Sequence, residues 1–61
     1  MWYEFEWLVI HFKGSEDITI RRTGRFTESS TKLYVECDDN HNHIISVDCI
    51  ESLEYMEKVG D

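Results

Sequence analysis

Four side chains able to bind a soft metal lie near one another in this 61-residue sequence: Cys37, His41 and His43 within the stretch CDDNHNH, and Cys49 six residues further on. Two thiols and two imidazoles are the donor set of a structural zinc site, yet no pair has the tight C-x2-C spacing that makes such a signal strong. Read as strand, loop and strand, Leu33 to Cys37 and His43 to Val47 form a hairpin about the loop Asp38 to Asn42, with Cys37 facing His43 and Leu33 facing Val47. Cys49 then stands about 20 Å along an extended chain from His43, at ~3.3 Å per residue. Ligands of one zinc must lie within about 4 Å of each other. The same separation rules out a disulfide between Cys37 and Cys49, which needs Cα atoms within about 7 Å. The expectation is a polar turn flanked by a small buried thiol, with no metal and no cofactor.

Other chemistries fail on the same residues. Asp38, Asn40 and Asn42 match the first three ligand positions of a calcium loop, but His43 stands where glycine is required and Cys49 where the bidentate glutamate belongs. A cysteine nucleophile needs a base and an electropositive setting, whereas Asp38 and Asp39 follow Cys37 directly and would raise its pKa. A chain of this length buries only about 60% of its unfolded surface, and a ligand pocket of ~300 Å³ would remove much of its core. The protein is therefore expected not to be an enzyme. His11, between Ile10 and Phe12, reads as a hydrogen-bonded structural histidine.

Charge narrows the choice of partner. Thirteen acidic against six basic residues give a net charge of −7, which repels phosphate backbones and argues against direct nucleic-acid binding. Three of the positive charges sit in RRTGR, so Arg21, Arg22 and Arg25 are a candidate anion site, which would make the protein a weak oligonucleotide or phosphate binder, or else arginines paired with the surplus carboxylates. Asp48, Glu51, Glu54, Glu57 and Asp61 are a candidate acidic stripe: a solvated face, or a nucleic-acid mimic that inhibits a nucleic-acid-binding protein. Eight aromatic residues exceed what so small a core can cover. Trp2, Tyr3, Glu4 and Glu6 are accordingly the candidate interface, for self-association or for a protein partner with a basic surface.

These groups need a scaffold, and the pattern is mostly β. Trp2 to Lys13 is rich in aromatic and β-branched residues, with Phe5, Trp7 and Val9 alternating with Glu4 and Glu6. The alternation fails from Leu8 to Phe12, which predicts a long first strand with a bulge near Trp7. Ile18 to about Thr23 reads as a second strand that Gly24 ends, with Phe26 beneath a following loop Thr27 to Thr31. Leu33, Val35, Ile45 and Val47 are expected to share one core face. In the C-terminal piece, Ile50, Leu53, Met56 and Val59 recur at helical spacing, while Leu53 and Tyr55 alternate with Glu54 and Met56 as in a strand.

The residues Ile50-Glu51-Ser52-Leu53-Glu54 resemble the Ile-Glu-Ser-Ile-Glu start of the last strand in several small SH3-like barrels, a flagellar accessory family among them. That resemblance implies a final strand preceded by a single helical turn. The fold expected is thus all-β, or β-rich α+β: a single domain over residues 1–61, built as a five-stranded SH3-like barrel or meander. The alternative is a four-stranded antiparallel sheet with a C-terminal helix. Neither an export signal nor a stretch of ~20 apolar residues is evident, so a cytoplasmic, non-membrane protein of bacterial or phage origin is expected. Its expected role is a small non-enzymatic interaction or regulatory module.

Overall fold

In the computed structural model, which describes residues 1–59, six strands follow one another. They are β1 (Tyr3–Phe12), β2 (Ile18–Ile20), β3 (Gly24–Glu28), β4 (Lys32–Cys37), β5 (Asn42–Ser46) and β6 (Ile50–Glu57). A single 3-10 turn, Val47–Cys49, leads into β6. All ladders are antiparallel, in the order β2-β1-β3-β4-β5, and β6 also pairs with β1. The result is a curled sheet, a half-barrel, as the all-β expectation required.

β1 organises the sheet. Phe5 pairs with both Gly24 and Glu57, and Leu8 with both Ile20 and Tyr55, so β2 and β3 share one edge of β1 while β6 runs along the other. Between the two ladders on the shared edge, Glu6 and Trp7 of β1 face the three residues Arg21, Arg22 and Thr23. One residue too many interrupts the pairing, which makes β2 and β3 two halves of one bent strand. The expected five strands become six for this reason. Gly24 does not end a strand but opens β3: a Cβ there would sit 2.5 Å from the Glu36 carbonyl oxygen and 2.9 Å from the Phe5 ring. Phe26 correspondingly lies within β3, as a core residue and not under a loop.

The core consists of Phe5, Leu8, Ile10, Ile20, Phe26, Leu33, Val35 and Cys37, with Phe12, Ile45, Ile50 and Leu53 packed against it. On β1 the inward positions step from Phe5 to Leu8 and Ile10. The bulge is responsible, because Phe5 pairs with Glu57 and Trp7 with the adjacent Met56, leaving Glu6 as the extra residue. The strict alternation Phe5, Trp7, Val9 is thereby corrected, and Trp7 and Val9 move to the outer face.

The β4–β5 hairpin has a shorter loop than expected. The Cys37 N–H donates to the His41 carbonyl at 3.1 Å and the Asn40 N–H to the Cys37 carbonyl at 3.0 Å. Asn40, at φ 69°, takes the left-handed conformation that a three-residue loop demands and that asparagine tolerates. The register is therefore Leu33 with Ile45 and Val35 with His43. A shift of two keeps each residue on its face, but it carries Val47 off the strand into the 3-10 turn and out of the core cluster.

The last segment is a strand and not a helix. Leu53 pairs with Ile10 and Tyr55 with Leu8, whereas Met56 and Val59, which shared the helical spacing, are exposed. The molecule measures 37 × 21 × 18 Å.

Candidate functional site

One end of the half-barrel is floored with aromatic rings. Tyr3 and Phe26 are directly opposite each other on β1 and β3, so their side chains share a face, and the rings stack at 5.3 Å. Tyr55, brought across by β6, meets the other side of this cluster edge-on, 5.0 Å from Phe26. Phe26 packs in turn on Phe5 at 6.2 Å, which anchors the surface rings to the core. Around them Trp2, Tyr3, Glu4, Tyr55, Glu57 and Lys58 line a groove of about 430 Å³. Trp2, Tyr3 and Tyr55 remain 39%, 44% and 38% exposed.

The groove is held by backbone as well as rings. The Lys58 N–H donates to the Glu4 carbonyl at 3.1 Å, fastening the end of β6 to β1. The Thr27 hydroxyl donates to the Met1 carbonyl at 2.7 Å and ties down the N-terminal residues. Trp2 carries the Arg25 guanidinium 4.4 Å from its ring centre, and Arg25 is itself paired with Glu36 at 2.9 Å. Ring faces bordered by Glu4 and Glu57 offer two kinds of attraction to a cationic side chain, the ring quadrupole and carboxylate charge, against which Lys58 in the same lining sets one positive charge.

Of the expected interface, Trp2, Tyr3 and Glu4 lie together and Glu6 does not. As the bulge residue, Glu6 lines a second groove, on the outer face, with Trp7, Val9, Thr19 and Arg21. The expected anion site is dispersed. Arg22 pairs with Asp39, Arg25 with Glu36 and Trp2, and Arg21 lies along the groove of Trp7. The acidic stripe is divided by strand geometry. Glu54 sits opposite the outward Val9 and Glu57 opposite the inward Phe5, while Glu51 falls in the register shift between His11 and Phe12 and Asp48 belongs to the 3-10 turn. Asp61 lies outside the described residues. Tyr55, Glu57 and Lys58, which complete the groove, were not part of the expected interface. The alternation of Leu53 and Tyr55 was the available signal, since it places Tyr55 on the inward face.

The CDDNHNH segment is the tip of the β4–β5 hairpin, clamped to the link between β2 and β3. Arg22 pairs with Asp39, and the Thr23 hydroxyl donates to the Asp38 carboxylate. Burial acts to raise the Asp39 pKa, but hydrogen bonds from His41 and the charge of Arg22 outweigh it and hold the carboxyl below its ordinary value. Burial pushes the Cys37 thiol up, Asp39 adds to this, and Arg22 opposes it. Cys49, exposed and free, is the last residue of the 3-10 turn, at the far end of β5 from the buried Cys37. Among the described residues no group of three or more His, Cys, Asp or Glu is arranged to hold a metal ion, and no helix is long and apolar enough to cross a membrane.

Comparison of the chain with protein-family profiles, with curated proteins and with solved structures gave no match.

Proposed function

We propose that this protein is a small non-enzymatic interaction module that docks the basic surface of a partner protein onto its aromatic end groove. The observation that carries the proposal is the trio Trp2, Tyr3 and Tyr55, large rings left partly open to solvent although Phe26 beneath them is buried. Rings held in place before binding supply contact area at small entropic cost. Glu4 and Glu57 on the rim, within a chain of net charge −7, steer a basic partner toward them. The same reading takes the half-barrel as SH3-like, supported by the 3-10 turn that leads into β6, where the residues of the resemblance lie.

A pull-down from the native cell lysate, run at low and at raised salt, tests the proposal with two variants. Trp2→Ala should weaken capture at both salt concentrations, because it removes apolar contact. Glu4→Lys should weaken it mainly at low salt, where steering is unscreened. Capture unchanged in both variants, with each shown to be folded, would sink the proposal.

A further inference from the structure

The free edge of β5 is a second candidate surface, independent of the aromatic groove. The hairpin's bonds at either end, from the Cys37 N–H to the His41 carbonyl and from the Val47 N–H to the Thr31 carbonyl, both use odd-numbered residues on the β5 side. In an antiparallel ladder such pairs recur at every second residue. His43 and Ile45 therefore bond to β4, and the N–H and C=O groups of Asn42, Ile44 and Ser46 face away from it, where no further strand is paired among the described residues.

An open edge is ordinarily blunted by charge, proline or shortness. β6, the other long edge, carries Glu51, Glu54 and Glu57, and β2 has only three residues. β5 reads NHIIS, with no Asp, Glu, Lys, Arg or proline. Its central side chain Ile44 is 69% exposed and lies directly opposite Tyr34, itself 37% exposed, on the outer face. Beside the edge, Phe12, Ile18, Ile44 and Ile45, with Glu16 off the strand, line an open and largely apolar groove of about 530 Å³.

We infer that β5 pairs antiparallel with β5 of a second copy of this chain, about a two-fold axis at Ile44. In that register Ile44 meets Ile44 of the second copy, and Asn42 meets Ser46. The edge is self-complementary: each of the three outward residues exchanges both backbone bonds with its counterpart. The occupant is a like copy because two chains of net charge −7 can meet along a strand that carries no formal charge without opposing carboxylates across the ladder. The pairing also brings together the two Ile44 side chains, which the isolated chain leaves exposed.

Sedimentation equilibrium from micromolar to millimolar protein, combined with amide hydrogen exchange, tests this. The wild-type chain should dimerise with rising concentration. The amides of Asn42, Ile44 and Ser46 should gain protection in step with the dimer, although no strand among the described residues bonds them. Ile44→Lys should raise the dissociation constant by about tenfold or more, since it places two like charges at the axis. Glu54→Lys, on the guarded edge, should leave it unchanged. A wild-type chain that stays monomeric, a dimer indifferent to Ile44→Lys, or a dimer in which those three amides exchange freely would each overturn the inference. So would protection of the three amides only when a different protein is bound. If Ile44→Lys does not fold, the exchange pattern of the wild-type chain decides alone.

Discussion

His11 has a carboxylate on each side of its ring: Nδ1 lies 2.8 Å from Asp17 and Nε2 3.3 Å from Glu54. Both nitrogens can donate only when the ring is protonated. The Glu54 hydrogen bond, opposed by burial and reinforced by Asp17, raises the pKa above 6.5. A folded-state pKa above the unfolded one contributes stability that is fully present below pH 6.5 and is lost as pH rises through the raised value. The thermal midpoint of the wild-type chain should therefore fall as the pH rises above 6.5 and through the raised value. His11→Gln should flatten that fall, and an equal slope in both proteins would contradict the assignment. The two cysteines give a second residue-scale prediction. Cys37 is buried with a raised pKa, so an alkylating reagent should label the exposed Cys49 first and reach Cys37 only on unfolding. Mass spectrometry of the partly labelled protein checks the order. A structural role for His11 was legible from its apolar flanks, Ile10 and Phe12. Its partner Glu54 was not, because only the β1–β6 register brings a residue 43 positions away beside it.

At the scale of elements, glycine and bulges decide where the strands run. Gly24 has the Glu36 backbone and the Phe5 ring within 3 Å of where a Cβ would stand. Gly24→Ala should cost about 1–3 kcal/mol, as overpacking of a close contact does, measured by urea denaturation. A cost under about 0.5 kcal/mol, the range of ordinary surface substitutions, would show that β3 and β4 can separate there. Read by itself, Gly24 looks like a strand breaker; its close packing needs both β4 and Phe5, which lie far off in sequence. The bulge at Glu6 was foreshadowed by the failed alternation after Trp7. Its consequence, the move of Trp7 and Val9 outward, depends on which partner strand carries one residue fewer. Leu33 and Val35 were placed correctly on the core face despite a register wrong by two, since side chains alternate with period two. Val35→Asp buries an unpaired charge in a small domain and should abolish cooperative unfolding. A soluble variant that still unfolds cooperatively would remove Val35 from the core.

At the scale of the whole molecule, the half-barrel presents two surfaces of different character. The end groove combines aromatic rings with carboxylates and is the surface proposed for a basic partner; the β5 edge carries no formal charge and is the surface proposed for a like copy. The crowding of Trp2, Tyr3 and Glu4 made half of the groove legible in the sequence. Tyr55 and Glu57 enter only because β6 returns along the whole of β1, which the helical spacing of Ile50, Leu53, Met56 and Val59 obscured. The two tryptophans report on different places, for Trp2 lines the end groove and Trp7 the outer face beside Arg21. Each gives one indole N–H resonance. The most direct measurement is the response of these two signals to titration with an arginine- and lysine-rich peptide at low salt. The Trp2 resonance should shift saturably, the Trp7 resonance should stay in place, and Tyr55→Ala should weaken the Trp2 response. A shift confined to Trp7, or no shift at either indole, would contradict the aromatic end groove as the docking site.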